Sequence, residues 1–146
     1  GRVSFALATL KAMRRYRPQR LLLRIDELDP RPEEIHVCAV CNGQYFGGGM
    51  WMAPEARIDD GLFDVVTLAP MTLKDTIFKG NRIYKGTHLE LPQARHERAR
   101  RVVAEPLEGE DPILLDVDGE TPGKLPATFE NLPSALKLQI PRSPQP

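Results

Sequence analysis

Net charge, cysteine, aromatic residues and unbroken apolar runs are all scarce in this 146-residue chain. Lys+Arg (20) equal Asp+Glu (20), so the chain as a whole has no field that draws in a polyanion. Aromatics are 6% of residues and do not interleave with the basic runs, so single-stranded nucleic acid would find no stacking platform. The two cysteines, Cys38 and Cys41, form a C-x-x-C, which is at most half a zinc site. Both lie in an apolar run that reads as a strand, where positions three apart point to opposite faces. They read as small core residues of a reducing compartment, not as a redox motif opening a helix. The stretch without formal charge from Ile35 to Pro54 contains His36, Asn42, Gln44 and four glycines, too polar and too broken for a spanning helix. No signal peptide is visible at the start. Gly47-Gly48-Gly49 lacks the following Lys-Ser/Thr of a phosphate loop, so those glycines read as a place where backbone approaches a neighbour or ligand.

Proline is abundant instead: 14 of 146, about twice the usual ~5%. That argues against a mostly helical fold. The apolar share (41%) and charged share (27%) are those of a folded soluble domain, and the length fits one domain. Coiled coil, collagen and global disorder are excluded. Zero net charge conceals local asymmetry. Arg2, Lys11, Arg14, Arg15, Arg17, Arg20 and Arg24 precede the first acid, and Arg95, Arg98, Arg100 and Arg101 form a second basic run. Each reads either as a solvated face or as a surface for an anionic partner.

Apolar positions at 3–4 spacing predict a helix over Val3–Tyr16, stopped by Pro18. Strands are expected over Arg20–Ile25, Ile35–Cys41, from Tyr45 onward, and over Leu62–Leu68, Arg100–Glu105, Ile113–Asp118 and Ala135–Ile140. Asp29-Pro30-Arg31-Pro32 and Asp59-Asp60-Gly61 read as turns, and Asn42-Gly43 as a hairpin turn. A short amphipathic helix is expected over Leu73–Ile83, with Leu73, Ile77 and Phe78 on its apolar face. Many short strands with turn signals predict a mainly β fold: a two-layer antiparallel β-sandwich with a leading helix and one inserted short helix.

Two acidic segments could carry chemistry. Asp116, Asp118 and Glu120 recur at every second position, which on a strand places them on one side. Clustered carboxylates repel, which can prepare one as a general base or call in a cation. Four apolar residues followed by Asp-x-Asp-Gly also look like the nucleophile motif of haloacid-dehalogenase-type phosphatases. The 30 residues after Asp116 are too few for that family's parallel α/β domain, and Glu120 stands where Thr is usual. The second segment, Arg57 to Leu62, offers carboxylates and carbonyls in a tight turn. It reads either as a hard-cation site or as an Asx-turn.

Taken in order, Asn42-Gly43, Gly47-Gly48-Gly49-Met50, Ala53-Pro54-x-Ala56, Asp59-Asp60-Gly61-Leu62-Phe63-Asp64-Val65, Asp118-Gly119-Glu120, Gly123-Lys124-Leu125-Pro126-Ala127 and Phe129 resemble the C-terminal half of the soluble diacylglycerol kinases. These are bacterial lipid kinases related to sphingosine and ceramide kinases. The resemblance runs from Gly1 to Pro141 and leaves 142–146 as a frayed tail. It implies a lipid-side sandwich domain whose N-terminal partner domain holds ATP on a Gly-Gly-Asp-Gly-Thr loop. No such loop occurs in this chain, so the chain is expected to be inactive alone.

The resemblance also implies roles. Glu120 matches the proton acceptor for the lipid hydroxyl, with Asp118 as its partner. Asp60 matches a carboxylate that holds a structural magnesium, with the backbone carbonyls of Arg57 and Leu62 beside it. Asn42 and Gly47, Gly48 and Gly49 match positions near the substrate cleft. The implied reaction phosphorylates a lipid hydroxyl, diacylglycerol to phosphatidic acid, with ATP as co-substrate and Mg2+ at both structural and catalytic sites. The implied setting is cytoplasmic, peripheral at the inner, anionic face of a membrane, with a homodimer among the expected states and no nucleic-acid partner. A non-catalytic lipid- or protein-binding sandwich and a nicotinamide-nucleotide kinase relative are the alternatives.

Overall fold

The computed structural model describes residues 17–137. The expected helix over Val3–Tyr16 and the tail 142–146 lie outside the described residues, as does half of the expected strand Ala135–Ile140. The described part of that strand, 135–137, is not strand.

Among the described residues seven strands follow one another: β1 (Gln19–Ile25), β2 (Arg31–Ile35), β3 (Val37–Cys41), β4 (Phe63–Leu68), β5 (Ala94–Ala99), β6 (Arg101–Pro106) and β7 (Ala127–Glu130). They form two antiparallel sheets, ordered β2-β1-β6-β7 and β3-β4-β5. Among the described residues one helix, α1 (Leu73–Lys79), runs into two 3-10 turns, Gly80–Lys85 and Thr87–Glu90. The fold is the mainly β sandwich that the strand pattern predicts.

Alternation sets the core. In β1, Leu21, Leu23 and Ile25 are buried while Arg20 and Arg24 face outward. Val102 and Ala104 of β6, Ile35, Val65 and Ala99 meet them between the sheets. Each such Leu or Val stabilises by roughly 1.5–3 kcal/mol on burial. The central strand β4 is buried on both faces, because Val66 packs outward against Met52, Ala53 and Ala56. Residues 44–62 thus cover the outer face of the three-stranded sheet.

Four local readings are corrected. Asn42-Gly43 does not close a hairpin: β3 pairs with β4, so Cys41 lies opposite Asp64 and the chain makes a long excursion between them. In that excursion Phe46 and Met50 form a single bridge instead of a strand. Ile35–Cys41 is two strands, broken at His36, where the chain passes from one sheet to the other. Arg31-Pro32 is the start of β2, not a turn. Proline is tolerated there because β2 is an edge strand.

The second basic run contains a strand that sequence reading missed. β5 (ARHERA) forms the edge of the three-stranded sheet, and charge on an edge strand discourages further pairing. At Arg100 the chain crosses back to the four-stranded sheet. Asp26 secures this corner, its Oδ1 accepting from the Arg100 and Arg101 N–H groups at 2.8 Å each.

The register gives the sandwich two distinct ends. Gln19, Ile35, Val37, Leu68, Ala94, Pro106 and Ala127 lie at one; Ile25, Cys41, Phe63, Ala99, Arg101 and Glu130 lie at the other. A six-residue strand such as β4 separates them by about 20 Å.

Candidate active site

The acidic motif lies in the excursion between β6 and β7, which leaves and rejoins its sheet at the Leu68 end. Buried Ile113 and Leu125 anchor it, with the Leu125 N–H donating to the Ile113 carbonyl at 2.9 Å. Leu114 bridges Lys124, and Val117 bridges Glu120 through paired backbone bonds of 2.8 and 3.0 Å. Asp118 and Gly119 are the two turn residues, both left-handed, with φ 52° and 88°. That is the signature of a tight two-residue reversal. Asp116 Oδ1 accepts from the Gly119 N–H at 2.9 Å and braces the turn. The expected continuous strand Ile113–Asp118 is therefore absent. The chain reverses at Asp118-Gly119, so Asp116, Asp118 and Glu120 do not share a strand face. Asp118 and Glu120 are both exposed at the tip.

Asp60 lies at the opposite end of the sandwich. Its Oδ1 accepts from the Leu62 N–H at 3.0 Å, the Asx-turn geometry, and its other oxygen pairs with the Arg98 guanidinium. Arg57 pairs instead with Asp59, and each charge holds the other: the Asp59 carboxyl is lowered and the Arg57 guanidinium raised. Among the described residues no three His, Cys, Asp or Glu side chains converge on a metal position. The donor chemistry still suits a hard cation, since the Arg57 and Leu62 carbonyls accept no hydrogen bond among the described residues. Arg98 now supplies the positive charge at that carboxylate.

Asn42 is at the same end, exposed, its Oδ1 accepting from Asn131 Nδ2 at 3.4 Å. Gly47, Gly48 and Gly49 form an exposed turn with φ 35°, 71° and 86°. Open space surrounds the Cβ positions of Gly48 and Gly49, so their glycine is required by conformation and not by a close neighbour. No hydrogen bond or ion pair among the described residues joins Asn42, Asp60 or the glycine turn to Asp118 or Glu120.

Sequence reading missed a cavity of about 850 Å³ at the Leu68 end, where the acidic hairpin is rooted. Its walls are mostly apolar: Pro18, Val37, Leu68, Met71, Leu73, Ile83 and Leu91. His36 and His88 are its imidazoles, and Lys79 stands on its rim. His36 Nδ1 accepts from the Met71 N–H at 3.1 Å. His88, only 2% exposed, contacts the Met52 carbonyl through Nε2 at 2.9 Å, and its buried Nδ1 has no partner among the described residues. Burial lowers the His88 pKa and outweighs the Met52 carbonyl, which raises it. The neutral ring therefore donates from Nε2 and offers Nδ1 as an acceptor. These residues come from five separated stretches of chain, so no local spacing announces them.

Two other polar features are structural. Asp64, fully buried, accepts from His96 Nε2 at 2.6 Å, an ion-pair geometry inside the three-stranded sheet. The cysteines face opposite sides of β3, Cys38 toward the inter-sheet core and Cys41 toward the outer cluster. Burial pushes their thiols up to about 12 and about 11, so both stay protonated and unreactive.

Known proteins are similar to this chain in sequence and in fold. A diacylglycerol kinase of Mycobacterium tuberculosis (strain ATCC 25618 / H37Rv) is 30% identical over 143 residues, covering 97% of this chain and 45% of that protein. A protein of Stenotrophomonas maltophilia (strain K279a) named "Probable lipid kinase YegS-like" is 34% identical over 100 residues, covering 68% of this chain and 32% of its own length. A solved structure described as a diacylglycerol kinase from Bacillus anthracis str. Sterne superposes with a TM-score of 0.64. It is 23% identical and covers 91% of this chain and 44% of that one, a likeness of fold. The chain thus spans less than half the length of these relatives. Residues 1–140 match the family described as the YegS C-terminal NAD kinase beta sandwich-like domain, and the chain belongs to that family.

Proposed function

We propose that this chain is the substrate-side domain of an ATP-dependent lipid kinase that phosphorylates diacylglycerol to phosphatidic acid. The observation that carries the reading is an apolar cavity at the same end of the sandwich as the root of the acidic hairpin. An acyl chain suits the apolar walls. Likeness to proteins named as diacylglycerol and lipid kinases supports the same reading.

A lipid hydroxyl is a poor nucleophile until it loses its proton. Glu120 accepts that proton as the new oxygen–phosphorus bond forms and the bond to the γ-phosphorus of ATP breaks, releasing ADP. Asp118 orients it. Exposure of both carboxylates at a hairpin tip suits groups that meet phosphate at a surface shared with a second, nucleotide-binding domain. Mg2+ would be held by the Asp60 carboxylate and the Arg57 and Leu62 carbonyls. About 20 Å of strand separates that site from the cavity end, which fits a structural ion. Asn42 and Gly47, Gly48 and Gly49 are assigned to the cleft on resemblance alone. The protein works peripherally on the inner face of the membrane. No helix of the described residues is long and apolar enough to cross one.

The test joins this chain to a nucleotide-binding domain and follows phosphate transfer from ATP to diacylglycerol. Glu120→Gln is expected to lower kcat by roughly 10²–10⁴-fold with the fold unchanged. Wild-type turnover in both Glu120→Gln and Asp118→Asn would refute the assignment, as would lipid kinase activity in the 146-residue chain alone.

A further inference from the structure

Asn42-Gly43 has the composition of a tight turn but closes none, and the reaction proposed above asks no chemistry of it. Of the chain's three asparagines, Asn42 alone precedes a glycine. The pair leaves β3 as a bend, with Asn42 exposed. Its Oδ1 accepts from Asn131 Nδ2 at a long 3.4 Å, and its own Nδ2 has no partner among the described residues. The Gly43 N–H donates no hydrogen bond among the described residues either. Nothing lies within 4 Å of the position that a Gly43 Cβ would take. An amide carbon, an unoccupied backbone nitrogen beside it and open space around both are what ring closure needs.

Two other acid-glycine pairs could follow the same chemistry, and the fold restrains both. At Asp118-Gly119 the Gly119 N–H donates to Asp116 Oδ1 at 2.9 Å, which keeps the proton on that nitrogen. At Asp60-Gly61 the carboxylate is occupied by the Leu62 N–H and the Arg98 guanidinium, and a Cβ at Gly61 would stand 3.1 Å from Pro133 Cγ. Tertiary contacts therefore single out Asn42-Gly43.

We propose that Asn42 is a self-modifying site, at which the folded chain converts the amide to aspartate and isoaspartate. The Gly43 nitrogen gives up its proton and bonds to Asn42 Cγ. The bond from Cγ to Nδ2 breaks, and ammonia leaves with that proton. Water then opens the succinimide at either carbonyl. One product is aspartate. The other is isoaspartate, whose main chain runs through Cβ and Cγ and is one carbon longer. Water is the only co-reactant. Either product brings the first formal charge into the stretch from Ile35 to Pro54, one residue beyond Cys41, which lies opposite buried Asp64. Isoaspartate also lengthens the backbone where β3 gives way to the segment that covers the three-stranded sheet. The placing of this change beside a substrate cleft rests on the lipid-kinase reading; the chemistry does not. Its assay uses neither lipid nor nucleotide, so its outcome is separate from the fate of that reading.

The experiment incubates the 146-residue chain in warm alkaline buffer and follows the tryptic peptide Ile25–Arg57 by mass spectrometry. A gain of one mass unit is expected, localised to Asn42 by fragmentation, at a rate comparable with that of a short synthetic peptide of the same local sequence. Gly43→Val crowds the attacking nitrogen and is expected to slow the gain severalfold or more. Asp118→Asn places the same Asn-Gly pair at the exposed hairpin tip, where only the Asp116 brace differs; circular dichroism verifies its fold. Position 118 of that variant is expected to lose ammonia more slowly than Asn42. Three results would overturn the proposal. They are no mass gain at Asn42 in the folded chain, an unchanged rate in Gly43→Val, and an equal or faster loss at position 118 in Asp118→Asn.

Discussion

Replacing Gly86 with alanine tests how the cavity wall is held to the sandwich. Gly86 joins the two 3-10 turns with φ 70°, in the left-handed region. A Cβ there would stand 2.9 Å from Trp51 Cε3, 3.0 Å from Pro54 Cγ and 3.2 Å from Trp51 Cδ2. The indole cannot retreat easily, because it stacks on Tyr45 with centroids 5.7 Å apart and planes 11° from parallel. The left-handed backbone costs a non-glycine residue about 1 kcal/mol. Overpacking against a fixed ring adds about 1–3 kcal/mol. Stiffening of the unfolded chain offsets about 0.4–1 kcal/mol. The net loss is about 1–3 kcal/mol, or roughly 3–10 °C in Tm for a chain of this size. Thermal unfolding followed by circular dichroism measures it, and Trp51, the single tryptophan, reports local displacement by fluorescence. Gly48→Ala is the control: φ is 71°, and nothing lies within 4 Å of its Cβ position. Only the backbone cost applies there. A Gly86→Ala loss no larger than that of Gly48→Ala, with unchanged Trp51 emission, would refute the close approach.

Two further outcomes are expected. Asp60→Ala should abolish Mg2+ binding measured by calorimetry, whereas Arg98→Ala, which frees the Asp60 carboxylate, should strengthen it; an unchanged Mg2+ affinity in both variants leaves Asp60 with only its turn. The lowered His88 pKa makes stability depend on pH: above about 6.5 the ring is neutral in both states and its contribution is fully present. Below that value the unfolded chain takes up a proton that the fold refuses, and stability falls by at most about 1.4 kcal/mol per pH unit until the folded ring titrates. The difference in chemical-denaturation stability between wild type and His88→Gln should therefore change as pH drops through 6.5, and a constant difference would show that His88 does not titrate as described.

The sequence by itself determined those parts that rest on neighbours along the chain. Alternation in Gln19–Ile25 and Arg101–Pro106 names strands, because a pleat sends successive side chains to opposite faces. The same rule puts Cys38 and Cys41 on different sides of β3. The Asp59-Asp60-Gly61 turn is local, and so is the Asp118-Gly119-Glu120 segment. Pairing partners are not local. Asn42-Gly43 has the composition of a tight turn, yet Cys41 finds Asp64 across a long excursion, because covering the outer face of β4 buries Met52, Ala53 and Ala56. β5 is invisible to an apolar pattern because it is an edge strand and can carry charge. A sharp turn at Gly119 is legible, but that it closes a hairpin instead of ending a strand is seen only when Val117 and Glu120 pair. Tertiary structure alone decided which face of α1 stays in water, which arginines are neutralised, and that Pro18, Leu68, Ile83 and His88 wall one cavity. Each of these depends on which distant segment arrives opposite, and packing, not local spacing, sets that choice.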